Sequence, residues 1–449
     1  MMARSGSPIL PHMKILFIAS YYPPYAPMAG TRIGKLTGYF HQHGHEVRVL
    51  GAANPALPPL LKPGVPDGQI TYVDVDMRPG LLSRALRRLR GGGTPGEQSA
   101  GERPAGEAAD APAVHAPGLM HRLKETYREF ATIPDTYTSW REPAIQAGMR
   151  LIGESKPDLL YASLPLHTGF LVAAELARRS GVPLVVEYRD LWVDHPYYSA
   201  PALRRLLERR MEKRAARTVA AYVTVTEGWR DFLQTERGRP TELILNGYDP
   251  NDFRAGPAPR FAPDDTLSIF YAGALYGEKR DPTPLFEALR RLGSQARSFR
   301  VLFHTDATEQ IRARIAAFGL EDVVEAKGPV PQGEILAKEQ TADILLLLRW
   351  DHPSEETVLA GKLFEYIGAG RPILSVGLET GEAARLIEDN GFGVVSKDPE
   401  RIAGQLREWL AQHRAGGVPG LDRERAALFS RDRQFEKLER FLLNVVSPR

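Results

Sequence analysis

Read by its apolar and polar positions, the chain alternates short continuous apolar runs with longer amphipathic stretches. The first run, MKILFIAS at residues 13–20, shows no polar alternation. Such a run suits a strand covered on both faces, as in a parallel sheet. YYPPYAPMAGT then predicts a long, glycine-bearing loop. RIGKLTGYFHQHG has helical spacing with a glycine stop at Gly44, and HEVRVLGA reads as the next strand. This is one strand–loop–helix–strand unit. PDLLYAS and VPLVVEYRD predict further strands with the helix GFLVAAELARRSG between them, and AAYVTVTE and TELILNG follow. A second series opens at LSIFYAGA and continues through FRVLFHT, VVEAKGPV, ADILLLLRW, RPILSVG and GFGVVS. The last segment, RDRQFEKLERFLLNVV, reads as an amphipathic helix.

Breaks in this rhythm set the domain organisation. Residues 1–12 read as a loose extension ahead of Met13. Residues 91–118 are Gly, Pro, Ala and Glu with almost nothing to bury, and predict a disordered insertion. RAGPAPRFAPDDT, residues 254–266, is proline-rich without a core pattern and predicts a linker. The expected parts are an N-terminal domain over 13–255 and a C-terminal domain over 266–425. A final helical segment over 426–449 is expected to pack back toward the first domain. The fold class is α/β, with two Rossmann-like parallel-sheet domains facing across a cleft. Ligands in such sheets bind beyond the carboxyl ends of the strands.

Composition narrows the function. A chain of 449 residues with 43% apolar residues can bury more than one core. A net charge of +3 gives no argument for a nucleic-acid partner. The absence of cysteine excludes disulfides, thiolate metal sites and cysteine nucleophiles, and fits a reducing, cytoplasmic setting. No apolar run approaches the ~18 residues of a membrane span, and Ile15–Ala19 is too short for a secretion signal.

Three stretches carry candidate chemistry. In PMAGTR, Gly30 allows close backbone approach just ahead of a helix N-terminus, whose free amides suit an anion; a plain strand-to-helix turn is the alternative. In YAGALYGEKRDP, Gly273 leaves room at a strand end, and Lys279 and Arg280 suit a diphosphate; the alternative is a solvated pair on a loop. In SEETVLAGKLFEYIGAGRPILSVG, the helix start at Gly361 and Lys362 can meet an anion. Glu365, three positions on and on the same face, can accept ribose hydroxyls; otherwise it is a surface Lys–Glu pair. GAGRP reads as a small-residue hairpin. Neither the G-x-G-x-x-G spacing nor a P-loop is present, which weighs against a simple dehydrogenase and an NTPase. YRDLWVDHPYY follows a predicted strand and places Arg189, Asp190 and Trp192 at its carboxyl end. Asp190 suits an acceptor hydroxyl or, equally, the cap of a following helix. His167 in SLPLHTG lies at another strand end.

Together the segments MKILFIASYYPPYAPMAG…GHEVRVL, EYRDLW, LILNGYDPNDF, FYAGALYGEKRDP and GKLFEYIGAGRPIL resemble, in order and over residues 13 to about 440, the GT-B glycosyltransferases of the retaining group 1, or GT4, family. The resemblance implies a nucleotide-sugar donor held mainly by the second domain and a glycan, lipid-linked or small-molecule acceptor held mainly by the first. It implies hexosyl transfer with retention, no metal or other cofactor, and a place in cell-surface polysaccharide or glycoconjugate biosynthesis. Glu365 matches the second glutamate of the family's Glu-x7-Glu motif, Lys279 or Arg280 its diphosphate cation, and Gly30 its first-domain glycine loop. The first motif glutamate falls at Thr357, preceded by Glu355 and Glu356, and Ala274 stands where relatives often carry arginine. Arg189, Asp190 and His167 at strand ends, with Lys279, are the catalytic candidates. Gly30, Gly273, Lys279, Arg280, Gly361, Lys362 and Glu365 are the donor-binding candidates.

Two other readings use the same residues: a nucleotide-sugar epimerase on this scaffold, and a non-catalytic sugar-nucleotide-binding subunit. The basic stretches RPGLLSRALRRLRG and LRRLLERRMEKRAAR also suit peripheral contact with an anionic membrane at the inner face, or a solvated helix face.

Overall fold

The computed structural model describes residues 11–25, 27–76, 132–195, 198–253, 260–263, 265–277 and 279–447. The expected insertion 91–118, the basic stretch 78–91 and most of the expected extension 1–12 lie outside them. The chain forms two compact units. One takes the chain up to Thr224 with Phe232–Glu242 and the residues from Glu439; the other takes Val225–Asp231 and Leu243–Leu438.

The first unit is built on β1 (Lys14–Ala19), β2 (Glu46–Ala53), β3 (Ile70–Asp74), β4 (Leu159–Ser163), β5 (Leu184–Tyr188), β6 (Val219–Thr224) and β7 (Thr241–Leu243), in the order β3-β2-β1-β4-β5-β6-β7. The register is parallel, with Ile15 opposite Val47 on one side and Leu159 on the other. The second unit holds β8 (Leu267–Ala272), β9 (Phe299–His304), β10 (Val324–Lys327), β11 (Ile344–Leu348), β12 (Ile373–Val376) and β13 (Gly393–Ser396), in the order β10-β9-β8-β11-β12-β13. Both sheets have the doubly wound order, which reverses between β1 and β4 and again between β8 and β11. The loops leaving a reversal point diverge and open a crevice at the carboxyl ends.

Burial explains the unbroken apolar runs. Along β8, Ile269 and Tyr271 enter the core on one face of the sheet, and Phe270 and Ala272 the core on the other. Along β11, Ile344, Leu346 and Leu348 alternate with Leu345 and Leu347 in the same way. Neither face meets water, so neither needs a polar residue.

Two of the sequence motifs have a packing explanation. A Cβ on Gly368 would stand 2.4 Å from the Phe253 ring and 2.7 Å from the Tyr248 ring. Gly247, at φ +65°, passes between Phe429 and Arg431, and Tyr248 pairs with Ser430 in an isolated bridge. The NGYDPNDF and GKLFEYIGAG segments are thus pressed together, and glycine is required where they touch.

Several expectations are corrected. The first helix runs Pro27–Gln42, so Gly30 lies inside its first turns rather than in a loop ahead of it. Proline starts a helix without cost because the first amide has no intrahelical partner. TELILNG yields only the short β7. GAGRP is the end of the helix Gly361–Ala369, closed by Gly370 in the left-handed region at φ +71°. The unit boundary falls at Leu243, because residues 243–253 pack on the second unit before the proline-rich stretch begins. Asp190 caps no helix; the next one starts at Ala202 behind Pro201. β3 and the helix Arg141–Ser155 were not read from the sequence.

Leu346 is fully buried in β11, one of the two central strands of the second unit. Leu346→Ala is expected to cost about 2–5 kcal/mol, read as a shift of the urea midpoint at unchanged slope. A loss well under 1 kcal/mol would mean that this strand is not the core described.

Candidate functional site

The second unit gathers its candidate residues at the β8–β11 reversal point. β8 ends at Ala272, and Gly273 follows at φ +150°. A Cβ on Gly273 would stand only 2.8 Å from Lys362 Nζ. The glycine therefore makes the room that the ammonium occupies. Lys362 lies over the Tyr271 ring, 5.3 Å from its centroid. Tyr271 Oη and Arg280 Nη1 both donate to the Ala274 carbonyl, at 3.0 and 3.2 Å. Arg280 also lies over the Tyr276 ring at 4.5 Å, and Lys279 over Trp350, just beyond β11, at 4.8 Å. Gly361 opens the helix Gly361–Ala369 behind Ala360, which supplies no side-chain cap, so the first amides are open to an anion. Glu365, one turn beyond, accepts a hydrogen bond from Gln332 Nε2 at 3.3 Å.

The electrostatics favour an incoming anion. Burial pushes the Lys362 ammonium below its ordinary value; Glu339 and Glu365 oppose the shift, and Arg280 adds to it. Glu339 is fully buried, and its carboxylate oxygens accept no hydrogen bond among the described residues. Burial, then the Glu365 charge, raises Glu339 well above the carboxylate range. Lys362 and Arg280 act on one another as like charges, with Glu365 as a nearby carboxylate. A diphosphate is the kind of group that relieves such a pair.

Arg349, immediately after β11, fixes the surrounding loops. It is buried, donating through Nη1 to the Leu378 carbonyl at 2.7 Å and through Nη2 to the Glu355 carbonyl at 3.1 Å. Burial lowers its basicity. Gly377 and Gly381 have no space for a Cβ: their nearest neighbours would be the Arg349 carbonyl oxygen at 2.1 Å and the Glu356 backbone at 2.6 Å. Thr357 Cγ2 packs where a side chain at Gly228 would begin. The Glu355 carbonyl holds Arg349, and the Glu356 backbone packs on Gly381. Glu382, buried nearby, accepts from the Glu227 and Gly228 amides at 2.7 and 2.8 Å. It thereby caps the helix Glu227–Arg237.

The first unit has its own cluster at the ends of β4 and β5. Glu187 is fully buried in β5. It accepts from Arg32 Nε at 2.9 Å and from Ser163 Oγ at 2.5 Å. Burial raises its pKa, but Arg32, Ser163 and Arg189 outweigh burial and hold the carboxylate ionised. His167 opens the helix His167–Ser180 and stacks on Trp192, centroids 4.3 Å apart and planes 7° from parallel. Burial, with His195 nearby, pushes His167 down to about 3, so it is neutral at ordinary pH. Asp135 accepts from the Thr168 amide and hydroxyl at 2.8 and 2.7 Å, closing that helix end. Leu166, just before it, is held at φ +75°, a strained value for leucine. Asp190 is exposed, with Oδ1 3.8 Å from His195 Nε2.

Thus Gly273, Lys279, Arg280, Gly361, Lys362 and Glu365 come together in one unit, and His167, Arg189 and Asp190 in the other. Gly30 is buried within the first helix. Glu187, Arg32, Arg349, Glu339 and Glu382 were missed. A glutamate inside LVVEY and an arginine closing ILLLLR were signals for two of them. Among the described residues no group of three or more His, Asp or Glu could hold a metal ion, and no helix is long and apolar enough to cross a membrane.

Residues 29–247 match the model of the glycosyl transferase 4-like domain. Solved structures share the fold over nearly the whole chain. The Anabaena protein HepE in complex with UDP is 14% identical with a TM-score of 0.59, covering 96% of this chain and 100% of that one. Sucrose-phosphate synthase from Thermosynechococcus elongatus gives the same identity and TM-score, covering 96% and 99%. UDP-GlcNAc 2-epimerase from Methanocaldococcus jannaschii is 11% identical at TM-score 0.51, covering 96% and 100%. No curated protein matches by sequence. The resemblance drawn from the motifs is met by a GT4-type domain match and by the GT-B fold.

Arg32 and Glu187 form an ion pair with side chains 4% and 0% exposed. Arg32→Met leaves the carboxylate uncompensated and is expected to cost about 3–5 kcal/mol; the double variant with Glu187→Leu is expected to recover most of it. The lowered Glu187 contributes stability above the unfolded carboxylate range that is lost as pH falls through its folded value. Denaturant melts at neutral pH and near pH 4 check both points, and equal stability of Arg32→Met and the native chain would refute them.

Proposed function

We propose that this chain, a GT4-type domain on a GT-B fold, transfers a hexose from a nucleotide-sugar donor to a hydroxyl of a glycan, a lipid-linked sugar or a small molecule, with retention at the anomeric carbon. The observation that carries the reading is the Lys362 ammonium set in the space left by Gly273, with Arg280 and Lys279 beside it and Glu365 one turn away. HepE is described in complex with UDP and with UDP-glucose, which supports a uridine diphosphate sugar as the first donor to try.

In this reading Lys279, Arg280, Lys362 and the helix amides at Gly361 take the charge that grows on the departing diphosphate. Glu365 accepts the ribose hydroxyls. Fixed donors aimed at developing charge are worth about 10²–10³ in rate each. The departing phosphate oxygen can take the acceptor proton, so no strong protein base is needed. Asp190 and the neutral His167 position the acceptor hydroxyl, and Glu187 with Arg32 keeps their strand ends in place. Thr357 cannot accept two hydroxyls as a carboxylate would, so sugar recognition differs from that of relatives with the full Glu-x7-Glu motif.

A thermal-shift panel of nucleotides and sugar nucleotides tests the donor half of the reading, since a ligand of the folded state raises the melting point. A nucleoside diphosphate or its sugar is expected to stabilise, and Glu365→Ala to weaken binding by about ten- to a hundredfold through loss of charged hydrogen bonds. Unchanged affinity would remove Glu365 from the ribose. Product analysis with candidate acceptors separates transfer from isomerisation of the donor alone.

The depressed Lys362 sets a pH dependence. Diphosphate binding needs the ammonium charged, so affinity is expected to fall as pH rises through a midpoint below the ordinary lysine value of 10.5. In Lys362→Arg, which stays charged, that fall is expected to disappear. Calorimetric titration of UDP across alkaline pH reads it; identical profiles for the two proteins would remove Lys362 from the diphosphate.

A further inference from the structure

The helix Ala202–Ala216 is built inside out. Its buried residues include Glu208 and Glu212, while Leu203, Leu206 and Leu207 are 57%, 45% and 36% exposed. The glutamates have inward partners. Glu208 accepts from Trp192 Nε1 at 3.0 Å, from Arg204 Nε at 2.7 Å and from the Tyr198 hydroxyl. Glu212 accepts from Tyr188 Oη at 2.9 Å and pairs with Arg237 at 3.1 Å. A helix whose inward positions are taken by paired glutamates has no internal use for three outward leucines.

The order along the outer face says what covers them. At about 100° per residue, Leu203, Leu206, Leu207, Arg210, Lys213 and Arg214 fall on one side. The leucines occupy the first turns and the cations the later ones, and no acidic residue shares the face. Arg214 also lines a cavity of about 630 Å³ with Arg141, Arg178 and Arg179. Its acidic lining residues are Glu142 and Glu175, and Glu175 is already paired with Arg178 and Arg179 at 2.7 and 2.6 Å. The cavity thus keeps an excess of positive charge at the far end of the same helix.

We propose that this face docks on an anionic lipid membrane, with Leu203, Leu206 and Leu207 entering the headgroup boundary and the arginine-lined cavity receiving a lipid phosphate. Leucines alone would fit a protein partner or a second copy. Leucines continued by an unbroken cationic stripe and an arginine pocket fit a surface that is apolar within and negatively charged at its phosphates. This inference does not rest on the donor chemistry.

The full chain is mixed with phosphatidylcholine vesicles and with vesicles containing about 30 mol% phosphatidylglycerol, and flotation is read at low and high salt. The native protein is expected to float with the anionic vesicles only, and less so at high salt. Leu203→Ser with Leu206→Ser and Leu207→Ser, and separately Arg141→Gln with Arg178→Gln and Arg214→Gln, are each expected to lose about tenfold or more in partitioning. Both are expected to keep the native melting point and the native response to UDP. No flotation of the native chain, flotation of either variant equal to that of the native chain, or a concentration-dependent dimer abolished by the serine variant would each overturn the proposal. A failed nucleotide panel with intact flotation would count against the transfer reading alone.

Discussion

A strand covered on both faces by helices has no place for a charge along its length, so the polar work of this protein is pushed past the last residues of its strands. The second unit shows the constraint at its simplest. β11 is apolar throughout, β8 is uncharged with Ser268 as its one hydroxyl-bearing aliphatic position, paired to Asp343 at 2.7 Å, and both strands alternate between two cores. Lys279, Arg280, Arg349, Lys362 and Glu365 follow them and are gathered at one end of the sheet. Glu187, which does enter a covered strand, is buried with Arg32 and Ser163 as its partners. A buried carboxylate without Arg32 and Ser163 would be a cost that the unit could hardly carry.

The end of the second sheet is assembled by omission as much as by attraction. Gly273 gives up a side chain so that Lys362 can stand over Tyr271, and Gly377 and Gly381 give up theirs so that two loops can close on Arg349 and Glu356. Arg349 then ties those loops to the strand end through three carbonyl contacts. The result is a rim of tied loops around a concentration of positive charge, with the buried Glu339 beneath it. Charge held in place by such contacts is preorganised.

Most strands were legible because their apolar runs are continuous and bounded by turn residues. β3 was not, since its five residues ITYVD are only partly buried and carry no such run. The first helix was begun five residues late, at Arg32 instead of Pro27, because PYAPMAG looks like a loop until proline is read as a helix start. In the site, Lys279, Arg280, Lys362 and Glu365 could be named in advance, because glycine at a strand end followed by a cation has a chemical meaning. Glu339 could not: LAKEQT reads as an ordinary exposed helix end, and only the fold puts it under Lys362. The Arg32–Glu187 pair joins residues 155 positions apart, a contact that no local pattern reports. The inverted helix Ala202–Ala216 was read as basic, but which of its residues faced outward needed the coordinates.

The missing methyl at Gly273 has a wider implication. An alanine methyl there would meet the Lys362 ammonium, and it would also have to sit at φ +150°, a backbone angle that residues with a side chain rarely adopt. One absence therefore serves both the seat of the ammonium and the turn out of β8. The two are inherited together, and a descendant of this chain could not give up the one without disturbing the other.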